Sequence, residues 1–318
     1  MNSGKISNSI LKRSVLKLIK HGKKEVISGP GIGMDCGIIE GKEKHNIALA
    51  TSDNKYGIYR VVNNLSACGA ESVAVMCNVI MPNDFEEQNL KSVIYGIQEQ
   101  CSNLNVQIIG GHTEASDAVT RPVVSITGVG YAEKNISISS KNVKPNQDII
   151  MTKWIGIEGT RIISELKREE ILKIYTAEFL DRAIGDISEM SVVKESKIAM
   201  ENAITAMHDV SEGGIFAALW DMAEAGKVGI EIDFRKIKVK QEIIEICELF
   251  DKNPYEIDSS GCLLMTYENG YDIVKTLKEN GISATIIGRT TDTNDKIIYN
   301  NGEKRFLDTP KQDEIYHI

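Results

Sequence analysis

No two cysteines in this chain stand in a C-x-x-C pair. The six present, Cys36, Cys68, Cys77, Cys101, Cys247 and Cys262, are scattered, which argues against a zinc ribbon or a disulfide framework and predicts reduced, mostly buried thiols. Also missing is any run near the roughly 18 apolar residues of a membrane helix. Its absence predicts a soluble, cytoplasmic protein with no membrane partner. The N-terminal Lys12, Arg13, Lys17 and Lys20 alternate with Ile10, Leu11, Val15, Leu18 and Ile19 at helical spacing rather than flanking an apolar block, so no signal peptide is expected. Basic excess is lacking as well. With a formal net charge of -8, the chain has no concentrated basic stripe for nucleic acid. Small molecules and proteins are the expected partners.

Three familiar chemical signatures are absent too. The glycines at 29, 31, 33 and 37 do not form G-x-G-x-x-G, and Gly41-Lys42 is followed by Glu43 with no glycine five positions earlier. A Rossmann site and a Walker A loop are therefore not expected. His112-Thr113-Glu114 has no downstream P-C-x-x-C, which removes the zinc deaminase reading.

At 318 residues the chain suits two domains of roughly 150 residues each. The polar stretch Glu133 to Gln147 reads as their connection. We place an N-terminal domain over 1–140 and a C-terminal α/β domain over 141–318. In the first half, spacing predicts a helix over Tyr59 to Cys68 closed by Gly69. A second helix follows Asp84, with Glu87 completing a capping box. Strands are expected at Ile47 to Thr51, Val106 to Ile109 and Pro122 to Tyr131. The second half alternates: strands at Ile149 to Thr152, Ala203 to Met207, Val228 to Ile232, Cys262 to Thr266 and Ala284 to Gly288, and helices at Thr160 to Leu166, Phe179 to Met200, Gly213 to Ala225, Ile243 to Phe250 and Tyr271 to Glu279. The class is α/β, in its α+β form.

Chemistry-bearing residues are dispersed. Ile108-Ile109-Gly110-Gly111-His112-Thr113-Glu114 reads as a strand running into a phosphate or metal turn, because paired glycines let backbone N–H groups approach an anion and Thr and Glu offer oxygen ligands. A buried strand ending in a solvated Gly-Gly turn is the structural alternative. Asp35 in the glycine loop, Asp53 at a strand end and Asn63-Asn64 on a helix suit Mg²⁺ bridging phosphates, which takes one or two carboxylates plus water. Each taken alone reads first as a cap or turn former, and only their joint pattern favours the metal reading. Met207-His208-Asp209-Val210-Ser211-Glu212-Gly213-Gly214 is a strand-to-helix turn. It offers an anion site at a helix N-terminus, unless Asp209 or Ser211 simply caps the helix.

Taken in order, these segments resemble the superfamily of aminoimidazole ribonucleotide synthetase, thiamine-monophosphate kinase, selenophosphate synthetase and the hydrogenase maturation carbamoyl dehydratase. The resemblance is carried by Val62-Asn63-Asn64-Leu65-Ser66-Ala67-Cys68-Gly69-Ala70, by Gly110 to Glu114, by Lys144 to Ile150 with Ile155 to Gly159, and by the block from Met207 to Asp233. It covers nearly the whole chain and is nearest to the hydrogenase-maturation and synthetase-related branches. The resemblance implies an N-terminal domain that dimerises through its sheet, with ATP in a long cleft. It also implies an activity that phosphorylates a carbonyl or acid oxygen of a small substrate. By position, Asp35, Asp53 and Glu114 would be metal ligands for Mg²⁺. Gly31, Gly33, Asn63, Asn64, Gly110, Gly111, His112 and Thr113 would hold ATP, and His208, Asp209 and Ser211 would face substrate. Asn64 stands where the family usually has aspartate, and His112 where two branches have an acidic residue, so negative charge is reduced. The sequence as written closes Glu314-Ile315-Tyr316-His317-Ile318, without the cysteine that carries the carbamoyl group in hydrogenase maturation. Other readings are the cyclo-ligase, the kinase, or a nucleotide-binding regulator, with a partner protein completing the site.

Overall fold

The computed structural model describes residues 7–19, 23–53 and 55–318. The chain makes two compact units, one holding 23–29 and 35–137, the other 30–34, 138–318 and the described N-terminal residues. The N-terminal segment is helical, as its spacing predicts: α1 (Asn8–Leu11) runs into a π-helical stretch, Lys12–Leu16. Lys20 lies outside the described residues. Asn8 donates to Asp221 at 2.8 Å and Lys12 pairs with Glu224 at 2.6 Å, so this segment belongs with the C-terminal half.

The first unit is a six-stranded sheet built from β1 (Val26–Ser28), β2 (Gly37–Ile39), β3 (His45–Ser52), β4 (Ala70–Pro82), β5 (Gln107–Ser116) and β6 (Val123–Glu133). Their spatial order is β1-β2-β3-β6-β4-β5, antiparallel except for β4 beside β5. The sequence reading assigns no strand between the first two long helices, yet β4, the longest strand, lies there. A register shift against β6 between Ser72 and Ala74 breaks its alternation, while the shift at Val75 and Met76 places the extra residue, Ile109, in β5. From Val75 onward Val75, Cys77, Val79 and Met81 alternate inward.

One face is covered by α2 (Gly57–Ala67), whose Ile58, Val61, Val62 and Leu65 are buried against the sheet. A Cβ on Gly128 would come within 3.0 Å of the Val61 side chain, so glycine there lets α2 lie close. Then α3 (Glu87–Asn103) joins the same core through Ile97 and Cys101. The expected capping box does not form. The helix begins after an extended Glu86 with no side-chain cap, because Asp84 is taken into the preceding turn. On the opposite face Ile39, Ile47 and Tyr131 stand in register across three strands, and they and Met76 are exposed.

The second unit is a seven-stranded sheet of β7 (Asp148–Thr152), β8 (Ala206–Val210), β9 (Gly229–Asp233), β10 (Cys262–Tyr267), β11 (Ala284–Thr291), β12 (Lys296–Asn300) and β13 (Glu303–Phe306), ordered β13-β12-β9-β11-β7-β10-β8. Its helices are α4 (Ile157–Leu166), α5 (Arg168–Ile171), α6 (Ala177–Ile184), α7 (Val193–Glu201), α8 (Gly214–Gly226), α9 (Gln241–Leu249) and α10 (Gly270–Glu279). The helix expected over Phe179 to Met200 is two helices. Gly185, at φ 65°, ends α6, and Asp186 caps a 3-10 turn through the Ser188 N–H before α7 begins. Apolar α8 packs Ile215, Leu219, Met222 and Ala223 against Met151, Leu264 and Ile230. A second cluster joins α4, α6 and α9 through Ile163, Leu180, Ile243 and Ile246. All six cysteines are free and buried, as the scattered spacing predicts. Among the described residues no helix is long and apolar enough to cross a membrane.

Candidate functional site

The Gly110-Gly111 pair does not make a turn. Both residues lie inside β5, an edge strand whose pairing with β4 continues through Ser116, and His112, Thr113 and Glu114 extend it. Hydrogen bonding to β4 keeps the backbone extended where the sequence suggested a break. Gly111, at φ 152°, is required by packing, since a Cβ there would run into the Cys77 backbone carbonyl. Gly110 meets only the Met76 methyl at 3.8 Å. By register His112 and Glu114 face the same side as Asn78 and Ile80, and His112 Nε2 lies 3.1 Å from Glu114 Oε2.

Asn63 is fully buried on α2, with Asn64 half-buried beside it. Asp53 is exposed just after β3, and Asp35 is half-buried just before β2. Asp35, Asp53 and Glu114 offer the hard carboxylate oxygens that Mg²⁺ prefers. Among the described residues no three His, Cys, Asp or Glu side chains gather into a metal cluster. Upstream, Gly31 and Gly33 fall in the other unit. Gly33, at φ 67°, abuts α8, where a Cβ would sit 2.6 Å from the Asp221 carbonyl and 3.0 Å from Ala225 Cβ.

In the second unit, His208 and Asp209 are both buried on edge strand β8. Across β10, His208 is level with Leu264 and Met151, while Asp209 is level with Leu263. Successive strand residues point to opposite faces, so these two side chains leave the sheet on opposite sides. Beyond them the chain turns sharply. The Ser211 carbonyl accepts from the Gly214 N–H at 3.0 Å and the Ser259 N–H at 3.3 Å. Gly213 and Gly214 have φ of 85° and 66°, and a Cβ on Gly214 would lie 2.5 Å from the Tyr255 carbonyl. The glycine pair thus answers a packing demand. The first amide of the turn is filled from within, for the Gly213 N–H donates to Asp313 Oδ2 at 2.6 Å.

Of two further groups near the strand ends, the Lys153–Glu195 pair escapes sequence reasoning, whereas Asp258-Ser259-Ser260-Gly261 before the Cys262 strand reads from the sequence as a small polar turn. Lys153, just past β7 and at φ 52°, pairs with Glu195 of α7 at 2.7 Å and donates to the Ser191 carbonyl at 2.5 Å. Nothing in the sequence around either residue marks them, because their partnership joins the end of a strand to a helix farther along the chain. The buried Asp258, Ser259 and Ser260 form a small polar turn before β10, in which Asp258 accepts from both the N–H and the hydroxyl of Ser260. The Ser259 hydroxyl accepts from the Gly156 N–H at 2.7 Å, tying that turn to the start of α4. Burial pushes the Cys262 thiol well up, against the opposing pull of Lys153, and leaves it protonated.

Two sheet units of this topology, joined by the Ser137–Gln147 segment, define a two-domain synthetase-like class. The AIR synthase related protein N-terminal domain matches residues 55–132, and the AIR synthase related protein C-terminal domain matches residues 144–300. The chain belongs to the AIR synthase-related family. A Methanocaldococcus jannaschii protein named for hydrogenase expression/formation is 29% identical over 262 residues, 81% of this chain and 76% of that protein. Carbamoyl dehydratase HypE of Rhizobium leguminosarum bv. viciae is 25% identical over 213 residues, 65% of this chain. The alignment takes in 58% of that enzyme, less than two thirds of its length. Among solved structures, a HypE–HypF complex has a chain matching with a TM-score of 0.74 at 22% identity, covering 88% of this chain and 94% of that one. A HypE in complex with ATP matches with a TM-score of 0.72 at 15% identity, covering 99% and 97%. The structural likeness establishes the shared fold.

Proposed function

We propose that this chain is an ATP- and Mg²⁺-dependent enzyme that phosphorylates a carbonyl or acid oxygen of a small substrate, acting as a cytoplasmic homodimer. The observation that carries the reading is family membership across both units, together with a fold shared along nearly the whole chain with a HypE in complex with ATP. Bound Mg·ATP would supply an activated phosphoryl group whose charge the metal partly neutralises. Asp35, Asp53 and Glu114 would hold the metal. Gly31, Gly33, Asn63, Asn64, Gly110, Gly111, His112 and Thr113 would line the nucleotide, and His208, Asp209 and Ser211 would meet substrate. The Gly110 N–H would serve as a donor to a phosphate oxygen, with the absent Cβ leaving only the Met76 methyl nearby. The exposed apolar face bearing Ile39, Ile47, Met76 and Tyr131 favours a second copy as the dimer partner. A maturation partner protein is the further expectation, by likeness to the HypE found in complex with HypF.

The test is a calorimetric titration of ATP into the full chain with and without Mg²⁺, followed by phosphate release on the same sample. Metal-dependent binding with turnover is the expected result. Binding without turnover under any acceptor tried would make the chain a nucleotide-binding regulator, and no binding at all would sink the enzymatic reading.

A further inference from the structure

We propose that Asp313 is a positioning residue for the Ser211–Gly214 turn, capping α8 from 100 positions away in sequence. The turn carries its own need for such a cap. Its N-cap residue is Gly213, which has no side chain to satisfy the first amides of a 13-residue helix. Asp313 is almost wholly buried, and its Oδ2 accepts the Gly213 N–H while its Oδ1 accepts the Ile315 N–H at 2.9 Å. Both carboxylate oxygens are thus spent on backbone. A carboxylate at a helix amino end is also favoured by the helix dipole.

The segment that delivers Asp313 is fastened at two points just beyond it. The Glu314 N–H donates to the Glu256 carbonyl at 3.3 Å, and Lys252 Nζ donates to the His317 carbonyl at 2.8 Å. The loop it grips is the one whose Tyr255 carbonyl abuts Gly214. Segment, loop and turn therefore form one hydrogen-bonded unit. Two consequences follow for the candidate site. Ser211 is held in place through its carbonyl and through the capped amide two residues on. The amino end of α8 is also closed to a substrate phosphate or carboxylate, because the chain supplies its own anion there. Substrate must then meet Ser211 from the sheet side rather than dock on the helix.

The catalytic consequence rests on the reading of Ser211 as substrate-facing; the capping does not. The experiment uses full-length Asp313→Ala and Asp313→Asn, with ATP turnover and thermal unfolding measured with and without acetate. In Asp313→Ala, kcat is expected to fall by at least roughly tenfold while KM for ATP stays within about twofold, as for a displaced catalytic group. Acetate should raise the unfolding midpoint of Asp313→Ala and restore part of its turnover, leaving wild type unmoved, and Asp313→Asn, which keeps one acceptor oxygen, should lie between the two. Wild-type kcat in Asp313→Ala, or a midpoint indifferent to acetate, overturns the proposal. Should Asp313→Ala fail to fold, recovery of folding by acetate supports the cap and failure to recover overturns it. If wild type itself turns over no ATP, the enzymatic reading falls, and the acetate-dependent midpoint alone decides Asp313.

Discussion

Lys153 and Glu195 form a 2.7 Å ion pair with side chains only 13% and 4% exposed. Such a pair gives little net stability over apolar residues of the same volume, yet leaving one charge alone inside is costly. Glu195→Gln is therefore expected to destabilise the chain by about 3–5 kcal/mol. Lys153→Met combined with Glu195→Leu should recover most of that loss. Urea midpoints of the single and double variants decide it. A double variant as unstable as the single would mean that the pair holds structure by something other than charge compensation.

Gly110 and Gly111 separate backbone geometry from nucleotide binding. Gly111→Ala must displace the Cys77 carbonyl from a φ that side chains rarely adopt, at a cost on the order of 1–3 kcal/mol. Gly110→Ala meets only the Met76 methyl at an ordinary 3.8 Å contact and should leave stability within about 0.5 kcal/mol. If Gly110 lies under phosphate, however, Gly110→Ala should weaken ATP binding. Equal melting temperatures for the two variants would contradict the strand register.

The elements legible in the sequence are those whose periodicity is intact. α2 reads directly from Ile58, Val61, Val62 and Leu65, and β10 from its unbroken apolar run. β4 is hidden because a bulge at Val73 shifts its alternation, and the Gly-Gly pair reads as a turn although cross-strand pairing, which local sequence does not express, overrides that signal. Positions of the dispersed site residues could be named from order along the chain. Their partners could not. Asp313 caps a helix far away in sequence and Lys153, at a strand end, finds its counter-ion on α7, relationships that exist only once the sheet is assembled.

Glu224 anchors the N-terminal segment and gives it a pH signature. The hydrogen bond from Lys12, aided by the charges of Lys12 and Lys296, holds its carboxyl below the ordinary range. A depressed carboxylate stabilises the fold above its unfolded pKa, and the contribution disappears as pH falls through the lower folded value. Lys12→Ala should therefore lower stability at neutral pH, by less than about 1 kcal/mol for so exposed a pair. The difference from wild type should vanish under acid conditions. Unfolding midpoints from neutral pH down through the carboxylate range test this, and a gap that persists in acid would assign the effect to packing.

Two buried thiols, beside Cys262 which burial also pushes up, contribute to the alkaline limb. Burial pushes Cys247 up to about 12 and Cys101 up to about 11. An acid with a raised folded pKa contributes stability that is complete below its unfolded value and is lost as pH rises through the folded one. Stability should thus fall between roughly pH 9 and 12 as the unfolded thiols ionise first. A Cys101→Ala, Cys247→Ala double variant should show a shallower alkaline decline. An unchanged slope would leave the decline to lysine and tyrosine titration.

His208 and Asp209 are neighbours on β8 that leave it on opposite faces, so a substrate lying on one side of the sheet meets only one of them directly. Ser211, two residues beyond Asp209, opens the turn that follows β8, its carbonyl held by the Gly214 and Ser259 N–H groups. Asp209 and Ser211 are the pair to test for a reacting oxygen. Asp209→Asn is expected to lower turnover by roughly 10²–10⁴-fold, the range for removing a group that handles a proton. His208→Gln, at the other strand residue proposed to meet substrate, should lower turnover less, by roughly tenfold, because its side chain leaves the opposite face of β8. Turnover and unfolding midpoint need to be measured on the same samples, so that loss of fold is separated from loss of chemistry. A His208→Gln variant that is stable yet inactive, beside an active Asp209→Asn, would move the reacting face to the α8 side of the sheet and with it the path by which substrate arrives.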